Sequence, residues 1–259
     1  MVTLVKIGGS VITNKSLEFS PNYEAMERIG NELSEANVKN VILGNGGGSY
    51  GHYAAEKYEL VKGVQTNEQR FGFALTQDAV ARLNRLLVGA ILNHGTPAIG
   101  LQPSAFMSME NGVVKEFLET PLRILLEKQI LPVVYGDTIC DTAKGTTIAS
   151  TETVMNEISK RFPVERIISG TVVDGVLTDV NGGEVIPVIN QSNLEEVMKC
   201  LGETEGHDVT GGMRHKVEEA VELAKRGIIT DIINIAKPGV LSKALNGGKP
   251  PGTRVKWEK

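Results

Sequence analysis

The chain has 259 residues, of which 41% are hydrophobic and 22% are charged. This length suits one large α/β domain or two closely joined lobes, and no apolar run approaches the ~18 residues that a membrane-spanning helix needs. The formal net charge of −4 argues against nucleic acid as a partner, because surfaces that bind nucleic acid carry an excess of basic residues. These features predict a soluble, globular protein.

The amino terminus and the cysteines indicate the compartment. The first residues run directly into a strand-like segment and lack the basic start, apolar stretch and cleavage site of a secretory signal. Cys140 and Cys200 are too few for a disulfide framework and lack the spacing of metal ligands. We therefore expect a cytoplasmic protein with two reduced thiols.

Short runs rich in β-branched residues alternate with helical patterns. The runs are apolar throughout, which is typical of strands buried on both faces of a parallel sheet. The predicted strands span residues 2–8, 38–43, 97–101, 131–135, 166–169 and 228–235, with short strands near 183–187 and 252–255. Helices are predicted over residues 21–37, with Ser20 as a possible N-cap, over 74–93, and from Thr210 to Arg226.

Two interruptions of this pattern predict hairpins. Asn111-Gly112 and Lys144-Gly145 each lie between short strand-like stretches, and Asn-Gly is a strong hairpin signal. We expect both hairpins at an edge of the sheet. The remaining alternation of strands and helices predicts right-handed βαβ units in a three-layer αβα open sandwich with a mainly parallel central sheet. No linker or repeat is apparent, so any two lobes are expected to share one continuous sheet.

Glycine-rich turns follow several predicted strands. They are Gly8-Gly9-Ser10, GNGGGSYG at residues 44–51, Asp174-Gly175, and the cluster Thr210-Gly211-Gly212-Met213 at a helix start. Glycines at strand ends let backbone N–H groups approach an anion without a Cβ in the way, and a following helix N-terminus favours negative charge. One such turn is more often plain turn chemistry, but four together favour a phosphate-binding protein.

The common nucleotide motifs do not fit these turns. None has the G-x-x-x-x-G-K-[ST] pattern of a Walker A loop. Gly46, Gly48 and Gly51 do match G-x-G-x-x-G, but Gln69 and Arg70 occupy the region where an acidic partner for the ribose is expected. A dinucleotide-dependent dehydrogenase is therefore a minor alternative.

Three lysines lie near the glycine turns. Lys6 interrupts an apolar strand just before Gly8, where a buried ammonium is costly unless it faces an anion. Lys15 lies in a turn, and Lys216 lies one helical turn after Gly212, so its side chain can reach back over the helix N-terminus. A snorkelling, loop or surface lysine is the alternative at each position. Phosphoryl transfer explains their convergence, because its transition state spreads negative charge over several oxygens.

In combination, KIGGS (6–10), GGGS (46–49), VDGV (173–176) and DVTGGM (208–213) with Lys216 resemble the amino acid kinase superfamily. Within it, GSVITNK (9–15), GGGSYGH (46–52), RFGFALTQ (70–77) and QPSAF (102–106) are most similar to archaeal-type isopentenyl phosphate kinases. The resemblance implies an amino-terminal lobe, about residues 1–162, that holds a phosphate acceptor. A carboxy-terminal lobe, about residues 163–259, would hold ATP with Mg²⁺, usually in a homodimer.

The resemblance also implies roles for individual residues. Lys6 and Lys216 would contact the β- and γ-phosphates, Lys15 would stabilise the transferring group, and His52 would donate a hydrogen bond to the acceptor's phosphate. The implied acceptor side comprises Gly46, Gly47, Gly51, His52, Gly136, Asp137 and Thr151. The implied nucleotide side comprises Lys6, Gly8, Gly9, Ser10, Gly47, Glu152, Thr171, Asp174, Gly175, Val176, Gly211, Gly212 and Lys216. Mg²⁺ is expected through the ATP phosphates, with no ligand set of its own in the protein.

Three apolar residues lie in the segments that the resembled kinases use around the acceptor's tail. Phe73, Phe106 and Met107 suit a short prenyl chain, and core packing is the alternative for each. The implied activity is the ATP-dependent phosphorylation of isopentenyl phosphate to the diphosphate. A histidine that only caps its own loop is the alternative for His52.

Two positions depart from the resembled pattern. Thr151-Glu152 stands where those kinases have Gly-Asp after a serine, and Asn45 stands where many have histidine. Fosfomycin kinases of the same superfamily share the glycine loop and vary at these places, so a phosphonate kinase is the runner-up. The side chain of Thr151 also raises a third hypothesis, a nucleotide-binding sensor or storage subunit without chemistry.

Overall fold

The computed structural model describes residues 1–14, 16–60, 63–179, 183–201 and 209–257, and it describes only the backbone of residues 52 and 209–211. The strands are β1 (Val2–Ile7), β2 (Val41–Asn45), β3 (Ala98–Gly100), β4 (Met107–Glu110), β5 (Val113–Phe117), β6 (Leu131–Tyr135), β7 (Asp137–Asp141), β8 (Gly145–Ala149), β9 (Val164–Thr171), β10 (Val188–Ile189), β11 (Ile229–Asn234) and β12 (Thr253–Val255). The helices are α1 (Gly9–Ile12), α2 (Tyr23–Glu35), α3 (Gly48–Lys57), α4 (Asn67–Asn93), α5 (Thr120–Glu127), α6 (Thr151–Arg161), α7 (Leu194–Cys200), α8 (Val209–Lys225) and α9 (Val240–Leu245).

Eight strands form one sheet in the order β10-β12-β11-β9-β1-β2-β6-β3. All neighbours pair in parallel except β11 and β12. Strand β1 is central, and Lys6 pairs with Gly44 of β2 on one side and Ser169 of β9 on the other. The three-layer αβα sandwich with a mainly parallel sheet is confirmed, and one sheet runs through both predicted lobes.

The two hairpins form where the sequence predicts them, but not at an edge of this sheet. Strands β4 and β5 pair on either side of Asn111-Gly112, and strands β7 and β8 pair on either side of the turn at residues 142–144. A parallel contact between Met109 and Asp141 joins them into a separate four-stranded sheet, β5-β4-β7-β8. The expected position was wrong because the hairpins satisfy their backbone groups with each other.

Asp141 holds the turns of both hairpins. Its carboxylate accepts backbone N–H groups from Asn111, Gly112, Ala143 and Lys144 at 2.7–3.0 Å. Desolvation raises the pKa of Asp141, but these N–H groups outweigh it and lower the pKa to about 2. One ionised carboxylate therefore holds the turns of both hairpins of the second sheet.

Element ends differ from the predictions in a few places. Helix α2 begins at Tyr23 and is capped by Asn22, whose side chain accepts the Ala25 N–H, so Ser20 lies two residues too early to cap it. Helix α4 begins earlier than predicted, at Asn67, because Thr66 and Gln69 form a capping box. Strand β2 covers 41–45 rather than 38–43. The short strand predicted near 183–187 lies at Val188–Ile189, with an isolated bridge between Leu177 and Val185.

Helices cover both faces of the main sheet. On one face α2, α4 and α9 bury apolar side chains against Ile7, Leu43 and Val133. On the other, α6 packs with the second sheet against Leu4, Ile42 and Val134, and α8 packs against Ile232 and Val255. Because side chains alternate along a strand, Lys6 projects to the face of α6 and α8.

An ion-pair network joins strands β9, β11 and β12. Asp231 of β11 is 3% exposed and accepts from Arg166 of β9 at 2.6 Å and from Arg254 of β12 at 2.7 Å. Arg166 also donates to the Ala244 carbonyl at 2.8 Å. Among the described helices, none is long and apolar enough to cross a membrane.

Candidate active site

The carboxyl ends of five parallel strands, β1, β2, β6, β9 and β11, lie at one edge of the main sheet. The chain leaves β1 toward β2 on one side, and β9 returns on the other, so this edge contains a topological switch point. Ligands of open α/β sheets bind at such a point. Gly8, Gly46 and Gly136 follow the ends of β1, β2 and β6 and border it.

The first two glycine turns pack backbone against backbone. A Cβ on Gly9 would lie 2.3 Å from the Gly48 nitrogen, and one on Gly46 would lie 2.7 Å from the Gly9 nitrogen. Gly48 also has φ +50°, a left-handed conformation that favours glycine. Thr13 clips the turns together, because its hydroxyl donates to the Gly9 carbonyl at 2.8 Å and accepts the Ser49 N–H at 3.1 Å.

Helices begin at both turns. Helix α1 begins at Gly9-Ser10, and α3 begins at Gly48 with Gly47 as its N-cap. The first N–H groups of a helix lack intrahelical partners and can bind an anion. Gly47 lies against Gly51, with 3.2 Å between the position of its absent Cβ and the Gly51 Cα. His52 belongs to α3, while its side chain and the whole of Lys15 lie outside the described residues.

Lys6 and Glu152 meet in the interior of the site. The Lys6 ammonium contacts Glu152 Oε1 across the end of β1 and the first turn of α6. The Lys6 residue is 9% exposed. Burial, followed by the positive charge of Lys216, lowers the pKa of Lys6 to about 8, while Glu219 raises it. Glu152 also favours the charged form by direct contact. Lys6 therefore lies on a central strand rather than on an edge or in solvent.

Lys216 approaches from the opposite side. It lies in the first half of α8, and its Nζ donates to the Gly212 carbonyl at 3.2 Å, which confirms that the side chain reaches back over the helix start. Gly211 and Gly212 form that start. Lys6 and Lys216 line the same cleft, and the positive charge of Lys216 lowers the pKa of Lys6.

A cleft of about 580 Å³ lies between α6 and α8. Lys6, Glu152 and Lys216 line it together with apolar side chains such as Met155 and Leu223 and with further polar residues of α8. The cleft thus lies between a helix of the predicted amino-terminal lobe, α6, and a helix of the predicted carboxy-terminal lobe, α8.

Thr151 does not face this cleft. It is 2% exposed, and its hydroxyl donates to the Asn45 carbonyl at 2.8 Å. Its side chain lies beside Gly44 and Gly136, where a Cβ on either glycine would come within 3.0 and 3.3 Å of it. Thr151 is thus packed behind the glycine loop of β2.

The third glycine turn lies at the end of β9. Thr171 bonds within the turn, donating to the Val173 carbonyl at 2.8 Å. Val176 is buried, and a Cβ on Gly175 would meet the Thr253 hydroxyl at 2.8 Å. Asp174 is exposed, and its Oδ1 accepts hydrogen bonds from Lys237 Nζ at 2.6 Å and from Asn234 Nδ2 at 2.9 Å.

The Lys237 hydrogen bond, and then that of Asn234, lower the pKa of Asp174. Neither Asn234 nor Lys237 is among the residues predicted for the site. Asn234 carried a usable signal, since it is a polar residue at the carboxyl end of β11. Lys237, three residues after that strand, carried none.

The second sheet adjoins the site at Gly136 and Asp137, where β7 begins. Asp137 is 2% exposed, and its carboxylate accepts the N–H groups of Ser104 and Thr138 at 3.0 and 2.9 Å. Burial raises the pKa of Asp137, and the Ser104 and Thr138 hydrogen bonds oppose the rise. The structure thereby fixes the turn at residues 103–105 against β7.

The three predicted tail-binding residues do not share one environment. Phe106 and Met107 are buried in the core beneath the second sheet, and Phe106 makes an edge contact with Phe117 at a centroid distance of 5.2 Å. Phe73 is half-buried on α4. Core packing therefore describes Phe106 and Met107, and Phe73 stays the accessible candidate.

No group of three or more His, Cys, Asp or Glu side chains able to hold a metal occurs among the described residues. Mg²⁺ characteristically binds substrate phosphates together with one or two carboxylates. Asp174 is an exposed carboxylate beside the third glycine turn, so the described residues fit a metal that arrives with a nucleotide and takes most of its ligands from the phosphates.

Comparisons with known proteins agree with this geometry. The model of the amino acid kinase family matches residues 1–234. An isopentenyl phosphate kinase of Methanothermobacter thermautotrophicus is 37% identical over 236 residues, covering 87% of this chain and 88% of that protein. One of Methanocaldococcus jannaschii is 29% identical over 240 residues, covering 88% and 90%.

A solved structure described as that of an isopentenyl phosphate kinase superposes with a TM-score of 0.84 at 34% identity, covering 98% of this chain and 100% of that one. The matched region contains the three glycine turns that follow strands, Lys6, Glu152 and Lys216. Sequence and fold therefore agree with the resemblance inferred from the motifs. The chain belongs to the amino acid kinase family.

Proposed function

We propose that this protein transfers the γ-phosphoryl group of ATP to isopentenyl phosphate, forming isopentenyl diphosphate and ADP. The observation that carries the proposal is the meeting of Lys6, Glu152 and Lys216 beside two closely packed glycine turns at the switch point. The similarity to isopentenyl phosphate kinases over nearly nine-tenths of the chain supports the acceptor.

The chemistry is an in-line displacement at phosphorus. An oxygen of the acceptor's phosphate attacks the γ-phosphorus, and the bond to the β–γ bridging oxygen breaks, so that ADP leaves with that electron pair. The attacking oxygen is already ionised, so no general base is needed. Catalysis then depends on positioning and on neutralising the charge of the equatorial oxygens. Lys6 and Lys216 supply positive charge from two sides.

The nucleotide is proposed to lie against Gly8, Gly9, Ser10 and the turn of Asp174, Gly175 and Val176, with Gly211 and Gly212 at the start of α8. Thr171 acts through the backbone of its own turn. Mg²⁺ bound with the nucleotide would supply further positive charge, with Asp174 as the exposed carboxylate available to it. Glu152 holds Lys6 in place.

The acceptor is proposed to bind on the side of the second sheet. The loop of Gly46, Gly47 and Gly51 would hold its phosphate, with the His52 imidazole as a hydrogen-bond donor. Gly136 and Asp137 would border the same site, and Phe73 would contact the short prenyl chain. Lys15, as the motif implies, would stabilise the phosphoryl group in transit.

A phosphonate kinase of the fosfomycin type is the second candidate, because it would use the same glycine loop and lysines. A coupled assay for ADP release with isopentenyl phosphate and with fosfomycin separates the two, and mass spectrometry identifies the product. We expect rapid turnover with isopentenyl phosphate. Turnover of the phosphonate alone would contradict the proposed acceptor, and ATP binding without turnover of either would favour a sensor or storage subunit.

The substitutions His52→Ala and Lys216→Met test the proposed acceptor and nucleotide sides of the site separately. We expect His52→Ala to raise the KM for the acceptor and to lower kcat, and Lys216→Met mainly to weaken the handling of the nucleotide. Unchanged kinetics for both variants would refute the assignment of the site. The division into lobes at about residue 162, the homodimer and the cytoplasmic location stay predictions from the sequence and the resemblance.

A further inference from the structure

Three polar side chains are buried behind the glycine loop. Asn45 ends β2, Asn84 lies on α4 and Thr151 begins α6, and they are 0%, 2% and 2% exposed. Buried polar groups are costly unless they are hydrogen-bonded, and fully bonded clusters fix one arrangement of the core. The proposed chemistry itself uses neither asparagine.

Asn84 holds Asn45 from the side of α4. Its Nδ2 donates to Asn45 Oδ1 at 2.9 Å and to the Val133 carbonyl at 3.3 Å. A Cβ at Gly100 would lie 2.2 Å from Asn84 Oδ1, so the neighbouring strand leaves room for this amide. One side chain therefore bridges the carboxyl halves of β2 and β6.

Thr151 holds the same residue from the side of α6. Its hydroxyl donates to the Asn45 backbone carbonyl at 2.8 Å, and Gly44 and Gly136 leave the space that its side chain occupies. The two positions at which the chain departs from the resembled pattern, Asn45 and Thr151, are thus in direct contact. The next residue, Glu152, contacts Lys6.

We propose that Asn84 and Thr151 are positioning residues that fix Asn45 from opposite sides, and with it the loop of Gly46 to Gly48 and the first turn of α6. The inference rests on the proposed function, in which this loop holds phosphate. Gly46 follows Asn45 directly and packs against Gly9. A movement of Asn45 would therefore be passed to both glycine turns, and a displacement of ~1 Å at a reacting centre can lower a rate about 100-fold.

Thr151 additionally sets the distance between Glu152 and Lys6. Lys6 faces Glu152 from α6 and faces Lys216 and Glu219 from α8, while His215, on the rim of the same cleft, pairs with Glu219 at 3.2 Å. Releasing the first turn of α6 would remove the closest negative charge from Lys6. The ammonium would then lose its proton at a lower pH.

The matched variants are Thr151→Val, which keeps the shape and removes the hydroxyl, and Thr151→Ser, which keeps the hydroxyl. We expect Thr151→Val to lower kcat/KM for isopentenyl phosphate at least tenfold, mainly through kcat. The basic limb of its pH profile should move to lower pH. Thr151→Ser should stay within about twofold of the wild type, with an unchanged profile.

Asn84→Asp is a second test, and it leaves the sequence of α6 unchanged. It keeps the size of the side chain but places a carboxylate oxygen against two acceptors, so we expect a similar loss of kcat. Because both substitutions act on Asn45, the loss in the double variant should be smaller than the product of the single losses. If Asn84→Asp fails to fold, the comparison of Thr151→Val with Thr151→Ser tests the inference by itself.

Calorimetry of ATP binding without acceptor keeps this inference separate from the proposed acceptor. Thr151→Val should change the number of protons taken up when ATP binds, and Thr151→Ser should not. A wild type that ignores isopentenyl phosphate would contradict the proposed function and leave the calorimetric comparison intact. Thr151→Val protein with a lowered Tm but wild-type kcat, pH profile and proton uptake would overturn the inference, since the hydroxyl would then serve stability alone.

Discussion

Binding of ATP to this protein should take up a proton at mildly alkaline pH. Lys6 is 9% exposed, and burial together with Lys216 lowers its pKa from 10.5 to about 8. That change corresponds to a cost of about 3 kcal/mol for the ammonium form, relative to a lysine in water. Phosphate oxygens placed beside the amine offset this cost, because a nearby negative charge favours the ammonium. Lys6 that is neutral in the free protein must therefore be protonated in the complex.

The size of the effect follows from the pKa. With a value of about 8 in the free protein, Lys6 carries a proton in about 0.9 of molecules at pH 7, about 0.5 at pH 8 and about 0.1 at pH 9. If bound phosphates restore the usual value, the uptake on binding is about 0.1, 0.5 and 0.9 protons at these three pH values. The nucleotide contributes little to this trend, since phosphate groups have already ionised above about pH 7.

Isothermal titration calorimetry in two buffers of different ionisation enthalpy measures this uptake. The matched control is Lys6→Arg, which keeps the positive charge but stays protonated throughout, and its uptake should be near zero at all three pH values. The free protein should also become more stable between about pH 8 and 10.5, because the unfolded chain binds more protons in that window. Uptake that does not rise from pH 7 to pH 9 would refute the reasoning about Lys6.

Three further outcomes follow from the packing. Gly9→Ala should lower kcat/KM at least tenfold, because its Cβ would lie 2.3 Å from the Gly48 nitrogen; Gly89→Ala, where a Cβ meets nothing within 4 Å, is the control in steady-state assays. Asp231→Ala should destabilise the protein by about 3–5 kcal/mol in urea, since it leaves two arginines unpaired. Wild type should lose more stability than Asp141→Asn as the pH falls from about 4 to 2, because the pKa of Asp141 is about 2 in the folded state; equal acid sensitivity would contradict its role at the hairpin turns.

The parallel core of the fold was predictable because its strands are short, apolar and buried on both faces. Strand β6 has the predicted bounds, and β1, β9 and β11 differ by only a few residues. The start of α4 was predicted too late although its signal is local, since Thr66 and Gln69 form a capping box that the sequence itself displays. The placement of the hairpins was not predictable, because it depends on the contact between Met109 and Asp141.

The residues of the candidate site also differ in how far the sequence predicted them. Lys6 and Lys216 were detectable because a lysine in an apolar strand and a lysine one turn after a glycine cluster are unusual in themselves. Thr151 was detected as a departure, but its direction was not, since whether a side chain at a helix start faces a ligand or the core depends on the neighbouring strands. Gly44 and Gly136 create that space, and they are distant from Thr151 in sequence.

The separate second sheet has a consequence for where the chain can vary. Strands β4, β5, β7 and β8 hydrogen-bond to one another and not to the eight-stranded sheet, so changes of length or sequence at their turns leave the ladder that orients Lys6 intact. Asp141 lets the two hairpins vary as one unit, because it bonds to both turns. Changes at these turns would therefore act together on the second sheet and leave Lys6 on its central strand.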